Sequence, residues 1–105
     1  IRAIERRGRV PAETLAFADL RLDPSTRSAR RGARTLELTA REVALLELLL
    51  RNAGAVVTRD AAVEEIWNGA AVPNVVDRYV AHLRRKLGEP PLIHTVRGLG
   101  FSLDR

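Results

Sequence analysis

The chain has 105 residues, about one domain's length, with 46% hydrophobic and 30% charged residues, the balance of an ordinary soluble globular protein. It contains no Cys, which excludes a disulfide framework and a thiolate metal site and fits a reducing cytoplasm; nor does any run approach the about 18 consecutive apolar residues of a membrane span. The formal net charge of +5, carried almost entirely by Arg, favours a polyanionic partner, nucleic acid first and an anionic membrane surface second.

Residues 1–13 are Arg-rich and aperiodic, with a Gly and a Pro, and read as a linker or N-terminal extension rather than a signal peptide. The first residue is not Met, so a piece of a longer protein with a partner domain upstream is expected. Residues 14–105 read as one domain. Its first third is a set of short strands: Leu15, Phe17, Leu20 and Leu22 precede the turn signal Asp23-Pro24-Ser25. Residues 27–31 and 33–38 then form a hairpin about Gly32, with Leu36 and Leu38 on one face.

Thr39-Ala40-Arg41-Glu42 is a capping box, in which each end residue's side chain answers the other's backbone N–H. The Leu-rich run behind it, stopped by Asn52-Ala53-Gly54, predicts a helix apolar nearly all round and therefore central. Thr58 starts a second helix through Val63, Ile66 and Trp67, which stops at Asn68-Gly69. Trp67 belongs to the core, and Glu64 and Glu65 to solvent. Residues 68–74 are uncharged and contain Gly and Pro, a loop. Asn74 reads as the N-cap of a third helix, 75–87, with Asp77 placed to favour the helix dipole. Gly88 ends it. Residues 92–96 and 101–103 are strands of a β-hairpin whose bend is Arg97-Gly98-Leu99-Gly100.

The third helix decides the function. Val76, Val80, Leu83 and Leu87 share a narrow apolar arc, whereas Arg78, His82 and Arg85 lie opposite, flanked by Tyr79, Arg84 and Lys86. A helix about 10–12 Å wide fits a major groove about 12 Å wide. Taken alone, such a face is an ordinary solvated surface. A Gly-rich hairpin with Arg97 at its bend follows directly, and that pairing can present one element to each groove of a duplex. The sheet arginines Arg27, Arg30, Arg31 and Arg34 read as solvated surface or a domain interface. His94 lacks partners at metal spacing, and no nucleophile, carboxylate pair or phosphate-binding glycine loop supports catalysis.

These residues resemble the C-terminal effector domain of the OmpR/PhoB family of two-component response regulators. The resemblance rests on Leu38-Thr39-Ala40-Arg41-Glu42, on Val57-Thr58-Arg59-Asp60 leading to Ile66-Trp67, and on Asn74-Val75-Val76-Asp77. It continues through Leu83-Arg84-Arg85-Lys86-Leu87 and Thr95-Val96-Arg97-Gly98-Leu99-Gly100-Phe101. It implies an α+β winged helix-turn-helix: an N-terminal four-stranded antiparallel sheet, three helices and a C-terminal hairpin wing. It further implies control of transcription by double-stranded DNA binding in the bacterial cytoplasm, at the nucleoid, without enzymatic activity, cofactor or metal. The implied partners are an upstream receiver domain, a cognate sensor kinase, a second copy arranged head-to-tail on direct repeats, and RNA polymerase at loop 68–74. By position, Arg78 and His82 match base-reading residues, Tyr79 and Arg84 phosphate contacts, Thr95 a backbone or base contact, and Arg97 the minor-groove Arg; Arg85 shares the cationic arc. The chain departs from the family pattern in three places. His82 stands where Arg is frequent, so that contact there depends on pH; Phe101 replaces a Tyr; and loop 68–74 lacks charges. The alternative reading is a winged-helix protein-interaction module whose basic face meets an acidic protein.

Overall fold

Four short antiparallel strands open the computed structural model, which describes residues 14–104. They are β1 (Leu15–Phe17), β2 (Leu20–Asp23), β3 (Ser28–Arg31) and β4 (Arg34–Leu36), hydrogen-bonded in that order. Residues 1–13, read above as a linker, lie outside the described residues. Period-two alternation puts Leu20, Leu22, Ala29 and Leu36 on the buried face. The β2–β3 turn is built as its sequence suggests: the Asp23 carboxylate accepts from the backbone N–H and hydroxyl of Ser25. The break between β1 and β2 carries no Gly, Pro or Asn; Ala18 takes the left-handed region there at φ 54°.

The capping box is formed. Thr39 N–H donates to Glu42 Oε1 at 2.9 Å, Glu42 N–H donates to Thr39 Oγ1 at 3.3 Å, and α1 (Ala40–Arg51) follows. This helix buries Val43, Leu45, Leu46, Leu49 and Leu50 and packs on the other two helices, on β1 and on the last strand of the chain. Each fully buried aliphatic side chain stabilises the fold by about 1.5–3 kcal/mol, so this helix carries much of the core. Thr58 caps α2 (Arg59–Trp67) through the N–H of Ala61, and Asn68 terminates it in the left-handed region at φ 53°. Trp67 is half-buried against the core, and Glu64 and Glu65 are exposed.

The third helix, α3 (Asn74–Leu87), corrects one expectation. Asn74 is its first helical residue and not its cap, because Pro73 already sits in the helical region at φ −58° and no side chain caps the end. Proline's locked φ preorganises that entry, and the N–H groups of Val75 and Val76 are taken by the carbonyls of Val72 and Pro73. Val76, Val80, Leu83 and Leu87 are all buried, as their spacing predicts.

The C-terminal hairpin is part of a larger sheet than expected. β6 (Ile93–Val96) and β7 (Gly100–Leu103) pair antiparallel, and a two-residue strand before α2, β5 (Val57–Thr58), joins the other edge of β7. Gly100 is therefore a strand residue and not part of the bend. A Cβ there would lie 2.2 Å from the carbonyl oxygen of Val57, so β5 approaches β7 only because residue 100 has no side chain. The bend is Arg97-Gly98-Leu99, closed by Leu99 N–H to Val96 C=O at 2.9 Å, with Gly98 at φ 75°. Among the described residues, no helix is long and apolar enough to cross a membrane.

Candidate nucleic-acid interface

With its apolar arc committed to the core, α3 turns the opposite arc outward. Arg78 and Arg85 are exposed there, and Arg97 is exposed at the tip of the hairpin. Among the described residues, none of these three cations has a hydrogen bond or an ion pair. They are cationic donors with their full bonding capacity available.

Two other expected contact residues are joined to each other. Arg84 Nη2 donates to Thr95 Oγ1 at 2.8 Å, and Arg84 Nε donates to the carbonyl of Ile93 at 3.0 Å. Arg84 thus ties the last turn of α3 to β6, and its guanidinium lies 5.8 Å from the centre of the Phe101 ring. On the same ring, at 4.8 Å, lies the guanidinium of Arg59, whose Nε donates to Asp77 at 2.7 Å. Phe101, in the position where a hydroxyl was expected, works as an aromatic platform for two cations. Asp77 has a structural role, as its place in the first turn suggests.

Tyr79 and His82 are half-buried and continue a chain of rings. Trp67 meets Tyr79 edge-on at 5.2 Å, and Tyr79 meets His82 at 5.8 Å. His82 Nδ1 lies 3.6 Å from Glu42 Oε2, a carboxylate only 4% exposed. The other oxygen of that carboxylate accepts from Lys86 Nζ at 2.7 Å as well as from Thr39. Lys86 also donates to the carbonyl of Glu37 at 2.8 Å. Burial pushes the Glu42 carboxyl up. The hydrogen bonds from Lys86 and Thr39 and the charges of Lys86 and His82 outweigh it and hold the group below its ordinary value.

The C-terminus of α3 is held from the far side of the molecule. Arg31, whose side chain is 3% exposed, donates to the carbonyls of Leu87 and Gly88 at 3.2 and 3.0 Å and to Asp19 at 3.1 Å. Arg34 donates to Leu87 C=O as well. Arg31 is therefore buried and not the solvated surface or domain interface that the sequence suggested, whereas Arg34 makes its contact from an exposed position. A helix C-terminus with unpaired carbonyls and a negative dipole end attracts guanidinium groups, and β3 and β4 deliver them. Arg27 and Arg30 remain exposed. His94 is a strand residue within 3.0 Å of the carbonyl of Asp104.

All seven residues singled out from the sequence lie on α3 or the hairpin. Sequence reading missed Glu42, Lys86, Arg31, Arg34 and Arg59 as the residues that hold α3 in place. One signal was available for Lys86, the only Lys in a chain otherwise furnished with Arg. At that position a compact ammonium meets a carboxylate and a carbonyl at once.

A model of the family described as transcriptional regulatory protein, C terminal, matches residues 33–103. Response regulator MprA of Mycobacterium tuberculosis (strain ATCC 25618 / H37Rv) is 50% identical over 100 residues, which cover 88% of this chain and 43% of MprA. The chain thus spans about two fifths of the length of the curated relatives it matches. The crystal structure of the DNA-binding domain of CpxR from E. coli superposes with a TM-score of 0.79 at 34% identity, over 87% of this chain and 95% of that one. The Klebsiella pneumoniae RstA DNA-binding domain, solved in complex with the RstA box, gives 0.76 at 29% identity, over 88% and 97%.

Proposed function

The chain belongs to the OmpR/PhoB family of response-regulator C-terminal domains, non-enzymatic winged-helix DNA-binding output domains of transcription regulators, and on that premise we propose that α3 reads the major groove of double-stranded DNA while Arg97 enters the adjacent minor groove. The observation that carries the proposal is the contrast between the two sides of α3. One side is sealed in the core and both ends are fastened by arginines, whereas Arg78 and Arg85 have no protein partner among the described residues. A rigid helix with unspent cationic donors suits a polyanion with readable edges.

In this reading Arg78 and His82 meet base edges, and Tyr79, Arg84 and Arg85 meet phosphates. Thr95, already an acceptor for Arg84, meets the backbone or a base edge. The RstA domain was solved with its box, and the same use of the fold is extended to this chain. A receiver domain upstream, a sensor kinase acting on it, a head-to-tail pair of copies on direct repeats and a bacterial cytoplasmic, nucleoid-associated location complete the reading. Loop 68–74 offers RNA polymerase an uncharged surface with Val72 66% exposed.

Selection from a randomised duplex pool by the purified chain tests the reading. A motif repeated in tandem is expected; recovery of no motif overturns it. An acidic protein that stays bound after nuclease treatment and blocks duplex binding would favour the protein-interaction module instead. Among single variants, Arg97→Ala should lose about 1–3 kcal/mol of specific affinity and relax the sequence preference locally while melting like the parent. Arg84→Ala should lose both affinity and thermal stability, because it also holds β6 to α3.

A further inference from the structure

Glu42 occupies two jobs at once. It belongs to the capping box of α1, and its carboxylate is set against His82 and Lys86 of α3. Its carboxylate is almost fully buried, so it cannot turn to water and must be satisfied by what faces it. Oε1 is saturated by Thr39 N–H and Lys86 Nζ. Oε2 faces Nδ1 of His82. The titratable and charged groups around that imidazole are Glu42 from α1 and Tyr79, Arg85 and Lys86 from α3, with Arg78 four residues earlier on the same helix. Thr39 completes the wall of an open pocket of about 400 Å³ in front of them.

We infer that Glu42 is a positioning residue for base reading: it holds His82 with Nδ1–H inward and leaves Nε2 as the nitrogen that DNA meets. This rests on the DNA-binding reading above. A neutral imidazole carries one N–H and one lone pair. A lone pair aimed at a buried carboxylate 3.6 Å away is repelled, whereas an N–H dipole is attracted, so the proton belongs on Nδ1. The Tyr79 ring packs beside the imidazole, 5.8 Å away and tilted by 57°. Nε2 is then an acceptor in the neutral ring, matched to adenine N6 or cytosine N4 in the major groove. Once the ring is protonated, Nε2 becomes a donor, matched to guanine O6 or N7. The same geometry therefore prescribes opposite base preferences for the neutral and the protonated ring.

Two measurements test this. The free chain has only two histidines, and His94→Gln leaves His82 alone for ¹⁵N spectroscopy. At about pH 8 the Nδ1–H tautomer is expected, with Glu42→Gln returning the ring toward the Nε2–H form that free imidazole side chains prefer in water. Gln preserves the capping box, so this variant keeps the fold. Duplex selection at about pH 8 and about pH 5 should show one base position that changes from adenine or cytosine to guanine, with a change in preference of about tenfold. That change should be weakened in Glu42→Gln. An Nε2–H tautomer in the parent, or a recovered motif identical at both pH values, overturns the inference while DNA binding stands. Recovery of no motif at either pH overturns the DNA-binding reading itself.

Discussion

A carboxylate as buried as that of Glu42 survives in a core only when its charge is answered. Here the answer comes from a backbone N–H of its own helix and from the ammonium of Lys86 on another helix, so one residue joins a local motif to a long-range contact. The local half was legible in the sequence as Thr39-x-x-Glu42. The long-range half was not, because nothing in a capping box says which helix will lie across it. The carboxyl's value is lowered in the folded chain relative to 4.5, its ordinary one. The unfolded state therefore binds the proton more readily, and the stabilisation is fully present above the ordinary value and lost as pH falls through the folded one. Glu42→Gln should accordingly be less stable than the parent at neutral pH and lose less on acidification, so that the two melting curves converge between about pH 5 and pH 2. Thermal unfolding followed across that range checks it. Parallel loss in both proteins would mean that the acid sensitivity lies elsewhere.

Among elements, the hairpin was legible and the sheet that supports it was not. Apolar runs flanked by glycines announce β6 and β7, yet a two-residue strand such as Val57–Thr58 has too few residues to show a period. The glycine pattern itself was misassigned for a physical reason. Gly98 is a glycine for its backbone conformation, whereas Gly100 is one for the space its missing side chain leaves to β5, and sequence shows the residue without the cause. The two positions predict different failures. Gly98→Ala meets no neighbouring atom and pays only for a side chain at φ 75°, about 1–2 kcal/mol. Gly100→Ala must push Val57 away and should cost more, about 3 kcal/mol or above. Because β5 leads directly into α2, that variant should also raise amide exchange in Val57–Thr58 and in the first turn of α2, a signature Gly98→Ala should lack. Equal exchange in the two variants would show that β5 is not held by β7.

At the scale of the molecule, the charge total fits a polyanionic partner and does not say which surface would meet it. Residues 1–34 carry a net charge of +5 and residues 74–105 only +3, so a tally alone would aim the N-terminal third at a polyanion. The structure redistributes that charge. Arg31 and Arg34 spend theirs on the C-terminus of α3, and Lys86 is answered by Glu42. Among the described residues Arg78, Arg85 and Arg97 remain unspent on α3 and the hairpin tip, as do Arg27 and Arg30 at the β2–β3 hairpin. Salt dependence separates a cation that meets phosphate from one that holds the reader in place, since each phosphate contact contributes a slope of about −0.9 in log K against log salt on duplex DNA. Arg85→Ala should make the slope shallower by about one unit on cognate and scrambled duplex alike. Arg31→Met removes an equal charge and unpins α3. It should leave the slope unchanged while lowering affinity for the cognate duplex more than for the scrambled one, because the helix end it releases affects base reading rather than charge. If Arg31→Met flattened the slope as Arg85→Ala does, the β3–β4 arginines would have to face DNA, and the helix-anchoring role drawn from their contacts would be wrong.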